Sequence, residues 1–184
     1  DRVHCQADPD ATFPRHYSGE LRVTLKSGQV LCQREAVNRG HAELADAAAA
    51  LVQGRLGDDE AANTGLVRQA LRQAAQALHS LQPVQDLKHQ LLRLAIDSDV
   101  VLDLHCDGEA AMHLYTLTPH AALGAELGAL LGAQAVLLAN ESGDSPFDEA
   151  CSRPWLLLRE RLAPQPLPLA CFSATVELRG EADT

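Results

Sequence analysis

Aromatic side chains are scarce in this sequence: Phe, Tyr and Trp together make up 3 % of its 184 residues. There is one Met and one Trp. A core so poor in aromatics must be built mostly from Ala and Leu, which suits helices. Long apolar runs are missing as well. None reaches the roughly 20 residues that a membrane-spanning helix needs, so no membrane partner is expected. Basic residues are in the minority, with 15 Lys and Arg against 25 Asp and Glu. The net charge of −10 offers no footprint for nucleic acid and predicts a soluble chain. No C-x-x-C pair occurs. The five cysteines, Cys5, Cys32, Cys106, Cys151 and Cys171, are odd in number and widely spaced. They read as reduced thiols of a cytoplasmic protein, mostly acting as small hydrophobes, and not as a disulfide framework. No signal peptide opens the sequence. Its first residue is Asp1, as in a processed or cut-down product.

What is present divides into an N-terminal segment, residues 1–37, and the remainder, residues 38–184. Residues 1–19 are polar and read as an arm. From Glu20 to Val37, Leu21, Val23 and Leu25 alternate with Arg22, Thr24 and Lys26, and Ser27-Gly28 follows as a turn. That pattern predicts a β-hairpin. An Ala-rich helix is expected from Ala42 to Leu56. A longer one is expected from Ala61 to Leu81, with Leu66, Ala70, Leu71, Ala74 and Leu78 on one face. A third runs from Asp86 to Ile96. Apolar stretches at Val100–Leu104 and Gln134–Ala139 predict buried strands, and a short strand is expected at Ala111–Leu117. The helix His120–Ala133 lies between the last two. Residues 140–154 read as a loop and Trp155–Leu162 as helix. Pro164, Pro166 and Pro168 form a stiff connector before a last strand near Leu169–Leu178. Helices alternating with apolar strands predict an α/β fold, an incomplete sheet, largely parallel or mixed, flanked by helices.

In α/β sheets, sites gather at the carboxyl ends of strands. One strand here ends at His105, and another ends at Glu177. Residues two apart on a strand share a face, so Asp103 and His105 lie together. A carboxylate beside an imidazole can fix the tautomer of a metal-bound histidine. It can equally be a plain hydrogen-bonding partner with no metal involved. Glu177 can be a general base held in a cleft, or a glutamate emerging into water.

Taken in order, "NRGHAELADA", "VVLDLHCDGEA" and "ATVELRGEAD" resemble the succinylglutamate desuccinylase/aspartoacylase family, a branch of the zinc carboxypeptidase-like hydrolases. The resemblance covers residues 38–184. It implies one zinc and hydrolysis of a small amide to release a carboxylate, as in an N-acyl amino acid. It implies that His105 is the third zinc ligand. It also implies that Asn38 and Arg39 grip a substrate carboxylate, and that Glu177 activates water and returns the proton to the leaving amine. The chemistry suits those roles: a metal acidifies its water, a neighbouring carboxylate can take the proton, and the Arg fork matches a carboxylate.

One part of the family pattern is missing. No histidine in the chain is followed three places on by Glu, so the upstream His-x-x-Glu pair of zinc ligands is absent. Zinc catalysis normally needs three protein ligands. Substitutes would have to come from Cys106, Asp107, His113, His41, His4, Cys5 or His16. Where that motif would stand, residues 1–40 weakly resemble the C-terminal segment of the MmgE/PrpD family. The alternative to a zinc deacylase is therefore an inactive remnant or chimera. A thiol enzyme built on Cys106 would need a base within reach, and the sequence secures none.

Overall fold

The computed structural model describes residues 19–24, 27–35, 41–78, 83–107, 111–141 and 146–180. Strands β1 (Gly19–Thr24) and β2 (Val30–Glu35) pair antiparallel as a two-stranded sheet, Gly19 opposite Glu35 and Thr24 opposite Val30. Gly28 between them has φ +84°, a conformation that glycine adopts without steric cost.

Three helices follow: α1 (His41–Val52), α2 (Glu60–Gln76) and α3 (Pro83–Ala95). Asp59 caps α2 by accepting a hydrogen bond from the Ala62 backbone N–H at 3.0 Å, which satisfies one of the free donors of the first turn. Pro83 opens α3, where its fixed φ fits and its missing N–H is not needed. Leu71, Ala70 and Ala74 of the expected α2 face are buried, with Val67 and Ala75. They meet Leu44, Ala45, Ala48 and Val52 of α1 and Ile96 after α3. Small Ala side chains let these helices approach closely, which is how a core with few aromatics fills.

The main sheet has four strands in the order β3-β6-β4-β5. These are β3 (Val100–Asp107), β4 (His113–Leu117), β5 (Ala135–Ala139) and β6 (Phe172–Gly180). β3 and β6 are parallel, β6 and β4 antiparallel, and β4 and β5 parallel. The sheet is therefore open and mixed, within the α/β class expected from the sequence. A 3₁₀ turn, Thr118–His120, leads from β4 into α4 (Ala121–Leu131). Gly132 ends α4 with φ +68° and the Ala133 N–H bonds back to the Gly128 carbonyl at 2.8 Å, a glycine-terminated helix end.

α4 lies flush on one face of β4 and β5. A Cβ at Gly124 would stand 2.9 Å from Thr116 Cγ2, and one at Gly128 would stand 2.9 Å from Val136 Cγ2. The other face is covered by α5 (Phe147–Arg161). Its Trp155, Leu158 and Cys151 join the helical core. Residues 140–154, expected to be a loop, are therefore partly helical, because α5 starts at Phe147. Pro154 sits inside it. The burial of Cys151, Trp155 and Leu158 on one helical face outweighs the hydrogen bond that proline cannot donate.

A second expectation also fails. Val100–Leu104 and Gln134–Ala139 read as buried strands, yet β3 and β5 are the two edges of the sheet. Val100, Leu102 and Leu104 are 58 %, 42 % and 61 % exposed. α4 covers β4 and β5 on that face and stops short of β3. The adjacent Ala174 and Val176 on β6 are buried.

Candidate active site

The carboxyl ends of the parallel pair β3 and β6 place His105 directly opposite Glu177, and Asp103 opposite Thr175. Paired positions on neighbouring strands project to one face, and here it is the face that α5 covers further down. His105 Nδ1 stands 3.9 Å from Glu177 Oε1, and His105 Nε2 stands 3.2 Å from Asp103 Oδ1. The imidazole thus lies between two carboxylates. The Glu177 side chain is 15 % exposed and the His105 side chain 50 %. Glu177 Oε2 is enclosed and has no hydrogen-bond partner among the described residues. An enclosed carboxylate oxygen left uncommitted is uncommon in folded proteins.

The β3 ladder shifts register between His105 and Asp107. Such irregularities re-aim side chains at sheet margins. Neither strand ends on its site residue: β3 runs on to Asp107 and β6 to Gly180.

β4 supplies the third side. Because it runs antiparallel to β6, its first residue, His113, faces Glu177, and Tyr115 faces Thr175. A direct pairing of β4 with β3 would have set His113 beside His105. The structure places β6 between those strands. His113 Nδ1 lies 2.8 Å from the Ala111 carbonyl oxygen, and Nε2 lies 3.1 Å from the Tyr115 hydroxyl. The rings meet edge to face with centroids 5.1 Å apart.

Below this row the site rests on the start of α5. Ser173 donates to the Asp148 carbonyl at 2.6 Å, and Thr175 hydrogen-bonds the Asp148 side chain. Burial pushes the Asp148 carboxyl above its usual range, and the charges of Glu149 and Asp103 add to the push. Sequence reasoning passed over Tyr115, Thr175 and Asp148. The alternation of His113, Tyr115 and Leu117 was the readable signal for the first of these.

Asn38 and Arg39 lie outside the described residues. Among the substitutes named for zinc, Cys106 is exposed and lies at the register shift of β3. Among the described residues no three His, Cys, Asp or Glu side chains converge as metal ligands do. His105 alone does not make a zinc site, since three protein ligands are the rule. The described residues therefore do not by themselves fit the implied ion. Cys151 and Cys171 are buried free thiols. Burial holds both thiols protonated, raising Cys171 to about 11 and Cys151 further, as expected of small core residues. Asp86 accepts a hydrogen bond from Gln90 at 2.7 Å, a local helix contact. No described helix is long and apolar enough to cross a membrane.

The fold is that of succinylglutamate desuccinylase/aspartoacylase structures. A protein named as a succinylglutamate desuccinylase/aspartoacylase from Shewanella frigidimarina NCIMB 400 superposes with TM-score 0.56 at 16 % identity, over 92 % of this chain and 66 % of that one. A family protein of the same name from Shewanella amazonensis SB2B gives 0.57 at 16 % identity, over 89 % and 66 %. The chain thus spans just under two thirds of the length of each. No protein-family model matches the sequence, and no curated protein matches it.

Proposed function

We propose that this chain is an amide hydrolase, a deacylase that releases a carboxylate from an N-acyl amino acid or a similar small amide. The observation that carries the reading is Glu177, an enclosed carboxylate facing an imidazole at the carboxyl end of a parallel strand pair, with Oε2 uncommitted among the described residues. The shared fold supports it. In this reading Glu177 takes a proton from a water as that water attacks the amide carbonyl. It then gives the proton to the departing nitrogen as the C–N bond breaks, leaving an acid and an amine. Asp103 holds the His105 ring in place from the other side. Asn38 and Arg39 would bind the substrate carboxylate in the domain formed by residues 38–184. Zinc, the family's ion, would require His105 to find partner ligands outside the described residues, and no step of this reaction runs through it.

Glu177→Gln keeps the shape and removes the base. General bases contribute about 10²- to 10⁴-fold, so turnover of N-succinyl and N-acetyl amino acids should fall by at least about a hundredfold. Wild-type hydrolysis that persists in Glu177→Gln defeats the assignment. The lack of three converging ligands among the described residues favours a second reading, a folded chain without catalysis. Elemental analysis after zinc loading separates the two: a folded sample that retains no zinc and cleaves nothing belongs to the second.

A further inference from the structure

His113 and Tyr115 are left unused by that reaction, although the register puts them beside its base. The Ala111 carbonyl can only accept, so the His113 nitrogen 2.8 Å from it, Nδ1, must carry the proton. In the neutral ring Nε2 is then a bare acceptor. The hydroxyl 3.1 Å away must donate to it. The Tyr115 proton is thereby committed, and the phenolic oxygen turns its lone pairs outward. Tyr115 is 43 % exposed, so the side chain is not sealed off from a ligand. Tyr115 starts opposite Thr175, but its hydroxyl reaches the His113 ring, which stands opposite Glu177.

We propose that Tyr115 is a substrate-binding residue that accepts a hydrogen bond from the scissile amide N–H, and that His113 is the positioning residue that fixes its hydroxyl. The inference rests on the deacylase reading above. An acceptor on one side of the nitrogen holds the N–H away from Glu177. The lone pair that develops as the amide twists then points toward the carboxyl that must protonate it. The chemical consequence is selectivity for amides over esters, because an ester oxygen has no hydrogen to offer and its lone pairs would oppose those of Tyr115.

The test pairs N-succinyl-L-glutamate with its ester isostere, in which oxygen replaces the scissile N–H. Both are assayed at a pH of about 8.5, where imidazoles are neutral, against wild type, Tyr115→Phe, His113→Leu and His113→Gln. Circular dichroism and melting confirm that each variant is folded, and ring ¹⁵N resonances of wild type should report His113 protonated on Nδ1. One lost neutral hydrogen bond predicts that kcat/KM for the amide, relative to the ester, drops about fivefold to tenfold in Tyr115→Phe and His113→Leu. His113→Gln, which restores an acceptor for the hydroxyl, should keep most of the preference. Equal losses on amide and ester, or no loss on either, overturn the proposal and leave the deacylase reading standing. If wild type turns over neither compound, the deacylase reading has failed, and calorimetric binding of the same pair decides the inference. Weaker binding of the amide alone in Tyr115→Phe upholds the acceptor. Equal binding, or none, overturns it.

Discussion

Replacing Asn63 by alanine should cost this fold far more than truncating a polar side chain on its surface. Asn63 is 1 % exposed in the first turns of α2. Its Oδ1 accepts from the Gly57 N–H at 3.0 Å, and its Nδ2 donates to the Gly57 and Pro166 carbonyls, both at 2.9 Å. One amide thus ties the turn before α2 to the proline-rich connector before β6. Each hydrogen bond is worth about 1 kcal/mol net. Gly57 is exposed, so water recovers part of its share, whereas the Pro166 carbonyl is half-buried. The cavity left by the amide adds about 1 kcal/mol more, and the better helix propensity of Ala returns roughly 0.6 kcal/mol. The net loss is about 2 to 3 kcal/mol, read as a lower denaturation midpoint with unchanged slope. Asn63→Asp sharpens the case. Its carboxylate keeps the bond from Gly57 N–H but turns a negative oxygen toward two carbonyls. It should be less stable than Asn63→Ala at neutral pH and recover on acidification, when a protonated carboxyl can donate again. An alanine variant within about 0.5 kcal/mol of wild type, the scatter expected of a surface change, or an aspartate variant as stable as wild type at neutral pH, would refute the reasoning.

Two further perturbations test the packing around the sheet. Gly124→Val should destabilise by about 1 to 3 kcal/mol in thermal or denaturant unfolding, because even its Cβ would press on Thr116 Cγ2 at 2.9 Å and Val136 Cγ1 at 3.3 Å. Asp148→Asn should stabilise the protein above the acid range. Burial raises the Asp148 carboxyl in the folded state above its ordinary 3.8, so wild type holds this advantage fully only below that value and loses it as pH rises through the raised one. Unfolding free energies of the two proteins, followed from about pH 3 to 7, should therefore diverge upward in favour of the variant, and parallel curves would contradict the assignment.

Much of the architecture was readable because it is written in local periodicity. The α1 to α4 helices follow Ala and Leu at helical spacing, but their ends were less legible: α2 stops at Gln76, short of the expected Leu81, and α3 opens at Pro83, before the expected Asp86. The pairing of Asp103 and His105 on one face came from the two-residue period of a strand, and their contact at 3.2 Å agrees. Strand order has no such local signature. Nothing between Val100 and Leu117 says that β6, far along the chain, inserts between β3 and β4. For that reason the sequence could list His105, His113 and Glu177 but not set them in one row with the carboxylate in the middle. Burial failed for the same reason. An apolar strand looks alike at the centre and at the edge, and the start of α5 was hidden by Ser, Gly and Pro that tertiary packing overrides.

The edge position of β3 also explains why the two candidate residues differ in character. Glu177 lies on an inner strand, flanked by β3 and β4 and enclosed from the side, whereas His105 lies on the outermost strand with its ring half exposed. Enclosure suits a carboxylate that must act at close quarters on one water or one substrate atom. Exposure at a rim suits a group that must meet something arriving from outside. The same geometry leaves Val100, Leu102 and Leu104 uncovered on the opposite face, so the open flank of the site and the bare apolar stripe have a single cause, a sheet that ends at β3.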